Sequence, residues 1–149
     1  MSAGAGAAAA LCVVAGVGGA VQVAVMGRFG ERVGTFEALA FATLVTAVLS
    51  AATLLAVRRS LAGYPAGLHA PAWLWVGGVM SALIVLTITV VTPVLGAAAT
   101  VGVFIAAQLA AGAAIDRFGL FDTDRIALGW PRLLGLSLRA VGAGLTIRT

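Results

Sequence analysis

The sequence predicts an all-α integral membrane protein with five transmembrane helices, and three observations predict it. Of the 149 residues, 62% are apolar and 9% charged, where a soluble domain carries about 25% charged residues; the mean hydropathy is +1.13. The apolar residues form long charge-free runs: Val94 to Ile115 is 22 residues without a charge, and at about 1.5 Å per residue such a helix crosses a hydrocarbon core of roughly 30 Å. Finally, the nine basic residues are all arginines, and all but Arg139 are scattered at the ends of these runs. There, positive charge sets topology, so the net charge of +4 does not indicate a nucleic-acid partner.

The first span is expected over residues 5–26. No charge occurs before Arg28, whereas a secretory signal peptide needs a positive region ahead of a shorter apolar core, so this segment reads as a retained helix. Within it Ala8, Cys12, Gly16, Ala20 and Ala24 recur every fourth residue, a ridge of small side chains that lets another helix approach. Gln22 lies on the opposite side. Cys12 has no second cysteine to pair with and reads as a small packing residue. The Gly16 to Gly19 run lacks the preceding strand and following acid of a dinucleotide site, so it too reads as helix packing.

Arg28, Glu31 and Arg32 form the expected polar connection to a second span over residues 38–57. Glu37 stands at its entrance, where an acid is favoured by the helix dipole, and Arg58 and Arg59 close it. Residues 62–71 hold Gly63, Pro65, Gly67 and Pro71 beside His69, and read as a loop.

From Ser60 to Ile115 no residue carries a fixed charge, yet one helix of that length would run about 84 Å, so the chain must fold back. The third span is expected over residues 72–92, with Trp73 and Trp75 as interfacial anchors. Thr92, Pro93 and Gly96 form the expected turn. The fourth span, residues 94–115, repeats the small-residue ridge at Ala98, Gly102, Ala106, Ala110 and Ala114, with Gln108 about 200° round the helix from Ala106. After a polar loop over residues 116–132 comes a short fifth span, residues 133–147, flanked by Trp130 and Arg148. Shortness of this degree can be absorbed by bilayer thinning or oligomerisation.

Arg139 falls inside that fifth segment, where an arginine costs at least a few kcal/mol unless it snorkels, finds an acid or carbonyl on another subunit, or serves an anion. Arg58, Arg59, Arg117, Arg125 and Arg132 lie on one side of this topology, and Arg28, Arg32 and Arg148 on the other. The excess favours a cytoplasmic N-terminus, by a margin narrow enough to allow dual topology. The residues form one transmembrane domain over 1–149.

No catalytic constellation, metal-ligand spacing or cofactor motif is visible, so neither an enzyme nor a cofactor is expected. The candidate substrate-binding residues are Gln22, Gln108, Glu37 and Arg139. A side-chain amide in hydrocarbon needs partners and can lend its remaining donors to a solute. The candidate helix-packing residues are Gly16, Ala20, Ala98, Gly102, Ala106 and Ala110.

Several short motifs fall in an ordered series: PVLG at Pro93 to Gly96, AQ at Ala107 and Gln108, IDRFGLF at Ile115 to Phe121, WLWVGG at Trp73 to Gly78, and QVAVMGRFGERVGT at Gln22 to Thr35. In these the chain resembles the YdcZ (DUF606) family of the drug/metabolite transporter superfamily over nearly its whole length. It departs from the family pattern at Met26, where an asparagine is usual, and at Ala40, where the family has serine before Phe41. The resemblance implies one five-helix half-unit of a ten-helix transporter fold in the bacterial inner membrane. It further implies pairing with a second copy or a closely related five-helix chain, and export of a small organic solute. An accessory or scaffold subunit is the alternative. Small proton-coupled exporters elsewhere in the superfamily use an acid in the first helix, and this first span has none.

Overall fold

The computed structural model describes residues 3–60, 64–122 and 129–146. Six α-helices follow in order: α1 (Ala3–Val33), α2 (Thr35–Arg58), the short α3 (Tyr64–Leu68), α4 (Val76–Leu95), α5 (Ala97–Phe118) and α6 (Trp130–Thr146). A 3-10 turn over Ala72–Trp75 leads into α4, and another over Leu120–Asp122 follows α5. Among the described residues, four segments are long and apolar enough to cross a bilayer: Gly6–Val33, Thr35–Arg58, Ala72–Leu95 and Ala97–Phe118. With 17 residues, α6 is shorter than these.

The helices run further than the charge pattern suggests. Arg28, Glu31 and Arg32 belong to the last turns of α1 instead of forming a connection, because nothing among them stops a helix. The stop is Gly34, at φ +102°, a conformation that costs glycine little and other residues much. In the same way Pro93 lies within the last turn of α4, and the single residue between α4 and α5 is Gly96, at φ +78°. Asp116 and Arg117 complete α5, whose end is capped by Gly119 donating its N–H to the Ile115 carbonyl at 2.8 Å. The expected fifth span begins three residues early, at Trp130, since Pro131 is tolerated in a first helical turn. Arg125, Ile147 and Arg148 lie outside the described residues.

The exposed surface is that of a membrane protein. Large apolar side chains stand out along every long helix, among them Leu11, Phe36, Val57 and Val94, each at least 71% exposed. Monomeric soluble proteins do not expose continuous apolar area on this scale. Hydroxyls are folded onto their own helices: Thr43 and Thr46 donate to the Leu39 and Ala42 carbonyls, Thr53 to Leu49, and Ser81 to Gly77, at 2.8 to 3.0 Å. Such self-satisfaction is what hydrocarbon demands of a polar group.

The backbone falls into two compact units, one of residues 25–93 and one of residues 1–24 with 94–149. In the first, α1 and α4 approach so closely that a Cβ on Gly30 would stand 2.5 Å from Thr89 Cγ2, and one on Gly27 2.7 Å from Thr92 Cγ2. Thr89 is 1% exposed and donates its hydroxyl to the Val85 carbonyl at 2.7 Å. Phe29 and Phe41 meet edge to face with ring centroids 5.6 Å apart. In the second unit, α5 and α6 pack against each other, antiparallel.

Candidate functional site

The pairing of α5 with α6 begins at a small-residue contact. A Cβ placed on Gly102 would lie 3.2 Å from Thr146 Oγ1 and 3.9 Å from the Ala143 Cβ, so the backbones nearly touch where α5 starts and α6 ends. Carried along antiparallel helices, this register sets Arg139 level with Gln108. Toward the other end the helices leave a cleft of about 290 Å³, lined by Gln108, Leu109, Gly112, Ala113 and Asp116 of α5 with Gly135 and Arg139 of α6. Three glycines and alanines leave it room, and three polar side chains give it chemistry: an amide, a guanidinium and a carboxylate.

The α6 sequence explains why these groups meet. On a helical projection Gly135, Arg139, Ala143 and Thr146 share one face, while Leu134, Leu138, Val141 and Leu145 share the opposite one. The first face meets α5; the second is 51% to 65% exposed. Arg139 is thus on the α5-facing row of α6, while Leu134, Leu138 and Leu145 stand exposed on another. Arg139 is the tenth of the 17 helical residues, close to the midpoint of α6.

Of the sequence-predicted candidates, Gln108 and Arg139 come together in this cleft. Gln22 is exposed on α1. Glu37 is exposed in the first turn of α2, its carboxylate folded back against Gly34. Among the packing candidates, Gly102 meets Ala143 and Thr146, and Ala106 is half-buried; Ala20, Ala98 and Ala110 are exposed, and nothing lies within 4 Å of a Cβ built on Gly16. Positions four apart drift about 40° per step round a helix. The side of α5 nearest α6 is the row Ala99, Gly102, Ala106, Leu109, Ala113 and Asp116, alternating steps of three and four.

The sequence pattern puts Asp116 at the start of the polar loop after the fourth span; the signal for its place in the cleft is its position two turns beyond Gln108 on a helix that continues to Phe118. Sequence reasoning also missed Gly27 and Gly30, whose three-residue spacing was the trace of a close helix contact. A larger groove of about 560 Å³ runs along α2 from Thr46 to Arg58. The Thr46 and Thr53 hydroxyls that line it already donate to their own helix, so the α5–α6 cleft is the better equipped for a polar ligand.

The family model that matches the chain is described as "Putative inner membrane exporter, YdcZ" and covers residues 7–145. Neither a curated protein nor a solved structure matches the chain. Since the match runs from the second turn of α1 to the last turn of α6, the chain belongs to the YdcZ family of inner membrane exporters.

Proposed function

We propose that the protein is a secondary transporter that exports a small organic solute, with α6 as a fifth span and a dimer as the working form. The observation that carries this reading is the α5–α6 cleft, in which a mid-helix arginine, an amide and a carboxylate converge beneath an α6 face of exposed leucines. Such an α6 suits lipid or a partner chain on its outer side and a polar path on its inner side. Polar groups of this kind within apolar helices mark solute pathways. The dimer is supported by number: five helices make up half of the paired repeats that surround a central site in many transporters. The partner is a second copy or a related five-helix chain, embedded in the bilayer, and the reading involves no nucleic acid, cofactor or metal.

The test is solute flux by purified protein in liposomes, compared with an equal amount of Gln108→Ala. Wild type is expected to sustain gradient-driven flux and the variant to lose most of it while keeping its assembly state. Flux absent under every gradient, from a folded dimer, would favour the alternative of an accessory or scaffold subunit.

A further inference from the structure

We infer that the α5–α6 cleft binds a small organic solute through a carboxylate, held by Arg139 and Gln108. The inference rests on the transporter reading for its site and goes beyond it by naming the class of solute.

Register and charge lead to this assignment. Arg139 and Gln108 stand level, so a planar guanidinium with five donors and an amide with two border the same part of the cleft. Together they present an excess of donors around one permanent positive charge, the arrangement that fits a carboxylate bidentately with a supporting N–H. Arg139 is exposed within the chain, so its head is accessible to a ligand. Asp116 lies eight residues from Gln108 on the same helix, about 12 Å along the axis, at the end of the cleft nearest the helix terminus. At that distance it takes no part in holding a carboxylate at Arg139.

Size and shape limit the class further. A volume of about 290 Å³ is at the lower end of small-molecule sites, roughly 300 to 1,000 Å³. The walls between the charges are Leu109, Gly112, Ala113 and Gly135, which accept a short aliphatic body and offer no side-chain hydrogen bonds. Nothing lies within 4 Å of a Cβ built on Gly135 or Gly112, so the space beside them is open to a ligand.

The experiment measures binding to the full-length protein in detergent with three probes built on one 3-methylbutyl chain: leucine, 4-methylpentanoate and 3-methylbutylamine. Titration calorimetry and ligand-induced melting shifts are read in parallel. Leucine and 4-methylpentanoate are expected to bind and the amine not to. Arg139→Gln should weaken both by about tenfold or more, as loss of a charged hydrogen-bond partner implies, with Arg139→Lys intermediate. Gly135→Val, whose side chain enters open space, should fold normally and block binding, which separates loss of the site from loss of the fold. Binding of the amine alone, of none of the three probes, or of the acids undiminished in Arg139→Gln and Gly135→Val would overturn the inference. Flux of cations in liposomes without carboxylate binding would leave the transporter reading standing and remove this one. Carboxylate binding without any flux would do the reverse.

Discussion

The close approach of α1 to α4 depends on the absence of side chains at Gly30 and Gly27. Thr89 cannot turn away from a new methyl group without giving up its 2.7 Å bond to Val85, and it is almost wholly buried. Gly30→Ala is therefore expected to destabilise the protein in detergent by about 1 to 3 kcal/mol, the usual cost of overpacking. Thr89→Ser, which keeps the hydroxyl and removes the obstructing methyl, should restore much of that loss in the double variant. Gly16→Ala, which meets nothing within 4 Å, should be neutral or slightly stabilising because alanine is the better helix former. Thermal denaturation of the four proteins checks this; equal losses for Gly30→Ala and Gly16→Ala would refute the contact. Thr92 adds a second test at the same interface. Its Oγ1 is buried without a hydrogen-bond partner, so Thr92→Val, close in shape, should hold or raise the melting temperature.

Among the elements, α6 has the most to say about function and was the hardest to assign. It is too short to be recognised as a span by length, yet it exposes Leu134, Leu138 and Leu145 and sets Arg139 at the cleft with α5. Its seat on α5 can be trapped chemically. The Gly102 and Ala143 Cβ positions are 3.9 Å apart, within the range of about 3.5 to 4.5 Å that a disulfide bridges. In a Cys12→Ser background, Gly102→Cys with Ala143→Cys should oxidise readily within one chain, whereas Ala98→Cys with Ala143→Cys should not. Crosslinks only between chains would mean that α6 packs on a partner's α5. The terminating glycines show a related division of labour: Gly34, Gly96 and Gly119 all adopt positive φ, and each marks a helix end where the hydropathy pattern alone places the boundary several residues away.

For the whole molecule, orientation and coupling are the properties to measure. Gly96 joins two long apolar helices without an arginine, whereas Arg117 and Arg132 flank the connection between α5 and α6; the positive-inside rule puts that connection in the cytoplasm and Gly96 outside. Single cysteines at Gly96 and Gly119, labelled with an impermeant thiol reagent in cells lacking Cys12, should react from outside only at Gly96. Reaction of both from both sides would indicate dual topology, and outside reaction of Gly119 alone would invert the assignment. Coupling follows from where the acids stand. The span of α1 before Arg28 has no carboxylate, and Glu37 is exposed at the start of α2 against Gly34. Glu37→Gln is expected to leave the pH dependence of flux unchanged; a steep proton dependence abolished by this change would make Glu37 the coupling acid.

The amino-acid sequence by itself determined the class of protein and the order of its spans, because hydropathy is a property of composition. Charge-free runs of about 20 residues admit few other readings, and the family motifs lie within them. It also singled out Gln108 and Arg139, since polar groups inside apolar runs are conspicuous in one dimension. Only the tertiary structure decided that these two share a cleft, that Asp116 joins them, and that Gly27 and Gly30 rather than the four-residue ridge of α1 meet another helix within a methyl's reach. The physical reason is rotation about the helix axis. A spacing in sequence gives an angle on one helix, but which angle faces a neighbour depends on the register between helices, and that is fixed by contacts such as Gly102 with Ala143, far apart in the chain.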